Sequence, residues 1–394
     1  MSLHPPHTDV AVIGGGVVGA AIAFHLTHRG VATSLFEREP QFALAASGTN
    51  SGCLHTGFDS TPGELETDLI LRSSRIRPQI METLGIPVLR CGAVLTPRSQ
   101  EEQAKVNDLA ANAAANGVHV NLLDTGVLEI PGEWITDPVV YTTSLLNAAV
   151  RGGAQAHTGH ELVSVDHNDS AGRFALTFRD TSTDRGTTVQ MTANYVINAA
   201  GLFADDVARM IGDDSFSIYP RKGEFLVFDQ PRPNTVDHII LPVPSGRTKG
   251  VLVFPTIDGK VIAGPTAIDE NDKHDWSVRP EAQSEIVTKI AGMAPELTHA
   301  TPVSTYCGLR TAGIDNNYVI ETSSEHDHFV NVAAIRSTGL SACHGIAEYV
   351  AELLSSSGLP LGDLSLPASV AWWRRTADHR SHHQFPPTTT RTTQ

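Results

Sequence analysis

The sequence predicts an α/β (α+β) fold, a Rossmann-like nucleotide-binding domain carrying an inserted, mainly antiparallel β-sheet domain. Three observations predict it. The chain opens with a short apolar strand from Thr8 to Ile13, a GGGVVG turn from Gly14 to Gly19, and the small-residue helix AAIAFHL. Between Tyr219 and Thr266 the pattern changes to β-branched runs separated by Gly and Pro (GEFLVFD, HIILPV, KGVLVFPTIDGKVIAGPT), which fits an antiparallel sheet. Near the end, the apolar strand Phe329 to Ala334 and the amphipathic helix Gly345 to Ser355 return to the opening pattern.

The opening unit has the residue order that holds a dinucleotide pyrophosphate against a helix N-terminus. Gly14 makes the tight turn, Gly16 lets backbone amides approach phosphate, and Gly19 lets the helix sit close on the strand. The helix is expected to run to about Arg29, with Gly30 past its end, before a second strand from Val31 to Phe36. That strand ends at Glu37, 18 positions after Gly19, close to the ~20 expected of a carboxylate that accepts the ribose hydroxyls.

Composition narrows the function. With 394 residues, 41% of them hydrophobic, the chain can build two domains around large cores. Its 28 Lys and Arg against 43 Asp and Glu leave a net charge of −15, which opposes binding to nucleic acid or an anionic membrane. The apolar run from Val10 to Leu26 is broken by glycines and belongs to the dinucleotide unit, so neither a signal peptide nor a membrane span is expected. Cys53, Cys91, Cys307 and Cys343 are scattered without metal-ligand spacing, and they read as reduced thiols of a cytoplasmic protein with no metal site.

Further along, a polar loop leads to a helix from about Glu64 to Leu84, and Leu89 to Pro97 reads as one strand. Surface and amphipathic helices are expected at Glu101 to Asn116 and Pro138 to Arg151, followed by a hairpin of Glu161 to Asp166 with Arg173 to Arg179. The buried-type strand Tyr195 to Asn198 runs into Ala199, Ala200 and Gly201, a second place where backbone can approach a cofactor. Pro280 to Ala294 reads as a helix. Residues 1–85, 140–215 and 308–366 are assigned to a discontinuous nucleotide domain, and 86–139 with 216–307 to the substrate domain. Residues 367–394 lack apolar periodicity and are expected to be a flexible tail.

Small-residue turns at the start, at Asn198 to Gly201 and at Arg336 to Ser341 imply a long, buried ligand touched from three distant segments, which favours FAD over NAD. Here the chain resembles the FAD-dependent oxidoreductases of the D-amino-acid oxidase superfamily. Within them it is similar to the branch of the glycerol-3-phosphate dehydrogenase flavin subunit and L-2-hydroxyglutarate dehydrogenase. The matching stretches are VAVIGGGVVGAAIAFHL, FERE, SGTNSGCLHTGF with TPGEL, VINAAGLFADDVA, PRKGEFLVFD, GVLVFPTIDGKVIAGPTAIDENDK, YCGLR and STGLSACHGIAEYVAELL. The resemblance implies that Gly14, Gly16 and Gly19 hold the pyrophosphate, and that Glu37 holds the ribose with Arg38 near the adenine. It places Ser47, Asn50 and Ser51 along the flavin side and the backbone of Val163 at the adenine. Ala200 with Gly201 forms a second close approach, and Gly339, Leu340 and Ser341 form a loop near the flavin pyrimidine.

The chemistry implied is hydride transfer from a CH–OH carbon of a small anionic substrate, a 2-hydroxy acid such as 2-hydroxyglutarate or a polyol phosphate such as glycerol 3-phosphate. The alternative is CH–NH oxidation of the glycine, sarcosine or D-amino-acid type. An alcohol needs a base for its hydroxyl proton, and His55 is the candidate; otherwise it only hydrogen-bonds cofactor or backbone. Arg310 is the candidate fork for the substrate anion, against an inter-domain salt bridge. Arg336 is placed near flavin or substrate, or is structural. Lys222 and Glu224 begin the inserted domain facing the cofactor, unless they pair with each other. Cys53 and Cys343 lie in flavin-proximal motifs, but noncovalent FAD is expected. This chain departs from its relatives at Phe58 to Ser60, Thr311 and Cys343-His344, so substrate and electron acceptor (oxygen, a quinone or a carrier protein) stay open.

Overall fold

In a computed structural model of the chain, which describes residues 5–168, 172–182, 186–232, 235–244, 250–314 and 318–367, two large sheets meet along a cleft. The nucleotide half begins with β1 (His7–Ile13), α1 (Val17–Thr27) and β2 (Thr33–Phe36). Then come β3 (Cys53–Leu54), α2 (Leu65–Leu84), β4 (Val88–Leu89), β5 (Ala93–Leu95), α3 (Gln100–Ala115), β6 (Asn121–Leu122), β7 (Leu128–Ile130) and β8 (Trp134–Thr136). The chain returns to the first sheet through α4 (Pro138–Arg151), β9 (Gln155–His157), β10 (His160–Asn168), β11 (Arg173–Asp180), β12 (Thr188–Asn198) and α5 (Ala204–Arg209). It builds the second sheet with β13 (Ile218–Asp229), β14 (Ile239–Leu241), β15 (Leu252–Pro255), β16 (Lys260–Gly264), β17 (Ile268–Asp269), α6 (Ala282–Ile290) and β18 (Ser304–Gly313). It closes with β19 (Val319–Thr322), β20 (Phe329–Ala333) and α7 (Gly339–Ser356).

The first sheet has a parallel centre, with β1 between β12 and β2, β20 beyond β12, and β9 beyond β2. Parallel strands are covered on both faces, which explains the continuous apolar runs in β1 and β20. Helix α1 is apolar all round because α4 and α7 flank it; Ile22, Phe24 and Leu26 are fully buried, each contributing about 1.5–3 kcal/mol. Asp137 caps α4 by accepting bonds from Val139 and Val140 N, with Pro138 at its first position. The register pairs Ile13 with Asn198, so the two small-residue turns that follow these residues lie side by side at the carboxyl edge, where α/β sheets bind ligands.

The second sheet runs β17–β13–β16–β15–β14–β5–β7–β6, with β18 also on β13. One face packs Leu226, Phe228, Val261 and Ala263 against Ile286 and Ile290 of α6. The other packs Phe225, Val227 and Tyr306 against Cys53, Phe58 and Ile135. A small sheet, β3–β8–β4, lies beside it.

Three expectations change. Leu89 to Pro97 is two short strands in different sheets, because Cys91 and Gly92 turn the chain between them, Gly92 with φ +69°. Helix α7 starts six residues before Gly345, so Gly339, Leu340 and Ser341 are its first turn rather than a loop. The boundary at 307/308 falls inside β18, which pairs with β13 from Ser304 to Gly313 and so belongs wholly to the antiparallel sheet. Of the expected tail, 368–394 lies outside the described residues. Among the described residues, no helix is long and apolar enough to cross a membrane.

Candidate active site

The cleft at the carboxyl edge of the parallel strands is walled first by backbone. Gly14 has φ +114°, and a Cβ there would lie 2.2 Å from the carbonyl oxygen of Ala199 in the neighbouring turn. A Cβ at Gly19 would lie 2.0 Å from Gly14 O, so Gly19 packs α1 on its strand and does not line the cleft. Gly16 caps α1 without a side chain and leaves the helix N-terminus open to the cleft, the arrangement that attracts phosphate. Ser47 fastens the adjoining loop, its Oγ accepting from Val17 N at 2.9 Å. Across the cleft, Gly201 has φ +58° and only Thr311 Cγ2 at 3.7 Å near its missing Cβ, with Ala200 beside it on the wall. Gly339 and Leu340 close the floor with the first turn of α7.

Side chains complete the nucleotide end. Glu37 accepts Gly15 N at 2.8 Å on one oxygen and Glu39 N at 2.9 Å on the other, and each oxygen keeps a lone pair for a ribose hydroxyl. Burial raises its pKa. Arg38 lies 3.8 Å over the ring of Phe203. Asn50 lines the cleft while its Oδ1 holds Gly52 N at 2.9 Å. Gly16 and Gly201 on the cleft wall, the N-terminus of α1 and the Glu37 carboxylate bonded to Gly15 N fit a dinucleotide.

Three expected cofactor residues sit elsewhere. Val163 is 38% exposed at a bulge in β10, and its neighbours Glu161 and Leu162 line the cleft instead. Ser51 Oγ accepts from Cys53 N and is not on the wall. Ser341 is fully buried, its Oγ accepting from His55 N at 2.8 Å and donating to Cys53 O. It ties the His55 segment to α7.

His55 owes its setting to strand register. Antiparallel pairing sets Leu54 opposite Trp134, which brings His55 beside Glu133. Nδ1 of His55 lies 2.8 Å from Glu133 Oε2; Oε1 of the same fully buried carboxylate accepts from Thr56 N at 2.7 Å and Thr56 Oγ1 at 2.8 Å. A carboxylate only accepts, so Nδ1 carries the proton and Nε2 is left as a base. Buried Arg77 donates to the carbonyls of His55 and Ser341, fixing the segment from behind. Glu133 escapes sequence reading because it is a lone acid in the turn Pro131-Gly132-Glu133, and only the pairing of two very short strands makes it a partner.

Arg310 sits on the face of β18 that carries Gly308, where a Cβ would lie 2.9 Å from Thr49 Oγ1 of the cofactor-side loop. Its guanidinium donates to Arg221 O at 3.2 Å, Lys222 O at 3.0 Å and Thr266 O at 2.6 Å. Burial pushes its pKa down to about 10. Among the described residues no carboxylate lies within ion-pair distance of it, so the inter-domain salt bridge is not formed; a buried cation held only by carbonyls suits an incoming anion.

Two candidates are corrected. Lys222 alternates with Arg221 along β13 and points to the opposite face from Arg310, where it is 1% exposed and its Nζ lies 2.6 Å from Asp275 Oδ2. Nor does it pair with Glu224, which binds Arg279 at 2.8 Å. Arg336 lines the cleft, but its φ is +45° and its guanidinium is bonded to Glu66, whose other oxygen accepts from Thr338 Oγ1 at 2.7 Å. It locks the entry to α7.

The chain matches the family "FAD dependent oxidoreductase" over residues 9–353, and it belongs to that family. It is 29% identical to a glycerol 3-phosphate dehydrogenase of Caloramator mitchellensis over 88% of this chain and 74% of that protein. It is 26% identical to a glycerol 3-phosphate oxidase of Mycoplasma genitalium over 88% and 94%. A mitochondrial L-2-hydroxyglutarate dehydrogenase of Nematostella vectensis is 29% identical over 68% and 64%. The fold matches that of an L-α-glycerophosphate oxidase from Mycoplasma pneumoniae with FAD bound, with TM-score 0.82 and 24% identity over 92% of this chain and 97% of the other. The protein is thus an FAD-dependent oxidoreductase.

Proposed function

We propose that this enzyme oxidises a CH–OH carbon of a small anionic alcohol, with glycerol 3-phosphate as the first substrate to try and 2-hydroxy acids such as 2-hydroxyglutarate as the second. The observation that carries this reading is the His55–Glu133 pair, with Nδ1 2.8 Å from the fully buried carboxylate. FAD, when bound, supplies the acceptor for hydride. Nε2 of His55 takes the hydroxyl proton, Glu133 holds the ring in the correct tautomer and stabilises the imidazolium, and Arg310, its Nε and Nη2 held by carbonyls, offers Nη1 and its positive charge to the phosphate or carboxylate. Amine oxidation needs no such base, because a free amine releases hydride without losing an O–H proton. Noncovalent FAD is part of the reading: burial pushes the thiol of Cys53 up to about 12 and that of Cys343 up to about 11, so neither attacks the flavin. Cytoplasmic residence is part of it too, supported by four unpaired thiols.

The test is anaerobic mixing of the purified yellow protein with glycerol 3-phosphate, L-2-hydroxyglutarate, glycine and sarcosine. Bleaching of the flavin band by one of the first two is expected; bleaching only by the amines would overturn the alcohol reading. Reoxidation by oxygen or by a quinone analogue then separates oxidase from dehydrogenase.

A further inference from the structure

The segment between β17 and α6 carries none of the cofactor motifs, yet it reaches from the antiparallel sheet to the nucleotide half. Both its ends are tied to β13. Glu270 N donates to Pro220 O at 2.9 Å, and Arg279 pairs with the fully buried Glu224. Midway, Asp275 meets buried Lys222 at 2.6 Å and accepts from Ser277 N and Oγ at 3.0 and 2.6 Å. Beyond these anchors the segment crosses to the other half. Lys273 Nζ lies 2.6 Å from Asp205 Oδ1 and 2.9 Å from Asp206 Oδ2 of α5, and the ring of His274 lies 5.3 Å from that of Phe203. Trp276 forms part of the cleft wall, together with Phe203 and Thr311.

We propose that residues 270–279 are an additional wall of the FAD site, a strap that retains the cofactor, with Trp276 as its contact with the cleft and the Lys273–Asp205/Asp206 pair as its latch. Lys273 is 17% exposed and Asp205 4%, so that contact is better shielded than a surface ion pair, whereas Asp206, 47% exposed, forms the solvent side of the latch. The Lys222–Asp275 pair gives buried Lys222 its role: it holds the middle of the strap to β13 while Lys273 reaches across to α5. A ligand covered this way can leave only when the latch detaches, so breaking the latch acts on the dissociation rate. The strap rests on family membership and not on the choice of substrate.

The experiment is release of FAD from the holoprotein on dilution, followed by recovery of flavin fluorescence, for wild type, Lys273→Met, Trp276→Ala, Trp276→Phe and the surface control Lys105→Met on α3. Release should accelerate roughly 10-fold in K273M and W276A, as loss of a contact that limits escape requires. W276F and K105M should release FAD as wild type does. Wild-type release rates in both K273M and W276A would overturn the proposal. So would a lowered melting temperature in K273M without faster release, since that is the mark of a structural staple.

Discussion

The nucleotide cradle and the substrate side of the cleft are built by different means. The cradle is backbone: Gly14 lets the two turns pack against each other, Gly16 and Gly201 keep side chains off the cleft wall, and Glu37 is the main side chain added. The residues proposed for the chemistry are side chains completed by distant partners. His55 depends on Glu133, 78 residues away, and Arg310 on carbonyls of Arg221, Lys222 and Thr266. Recognition of a constant ligand can be local and rigid, whereas chemistry on a variable substrate needs groups whose charge and tautomer are set by neighbours.

If this division is correct, substitutions on the two sides fail in different ways. The largest effect belongs to Gly14→Ala, where a Cβ would sit 2.2 Å from Ala199 O. It should abolish FAD binding, seen as a colourless protein on purification. His55→Asn should keep the protein yellow and equally stable while kcat falls by roughly 10²–10⁴, the usual contribution of a positioned base; steady-state assay beside flavin content checks both. Smaller still, Arg310→Lys should lower kcat/KM by roughly 10–100-fold, mostly through KM, because an ammonium on a flexible stem loses the carbonyl bonds that aim the guanidinium. The smallest concerns acid. The Lys222 ammonium holds the carboxyl of Asp275 down from its ordinary 3.8 to about 2. Its contribution to stability is therefore present above pH 3.8 and lost as pH falls towards 2. The melting-temperature gap between wild type and Asp275→Asn should close over that range.

The same division explains what could be read in advance. The cradle was legible because each part is a local signal: three glycines at fixed spacing, an acid at the end of the next strand, and small residues after a buried strand. Lys222 was misplaced because it stands next to Arg221 in an alternating strand, and one residue of register moves a side chain to the other face. Arg336 was left open between a place near flavin or substrate and a structural role because Glu66, its partner, lies on a distant helix. Glu133 was invisible because strands of two and three residues carry no periodicity that would pair them. Val163 missed by one residue at a bulge, which shifts register without any mark in composition.

The central claim is that holding the cofactor and performing the proton transfer are separable, with His55 responsible for the second. Rapid anaerobic mixing of wild type, His55→Asn and Glu133→Gln with saturating glycerol 3-phosphate, or with whichever substrate bleaches the wild type, measures the reduction step directly. The account predicts full FAD occupancy in all three, reduction slowed most in His55→Asn and to an intermediate degree in Glu133→Gln. Reduction of His55→Asn at the wild-type rate would contradict it.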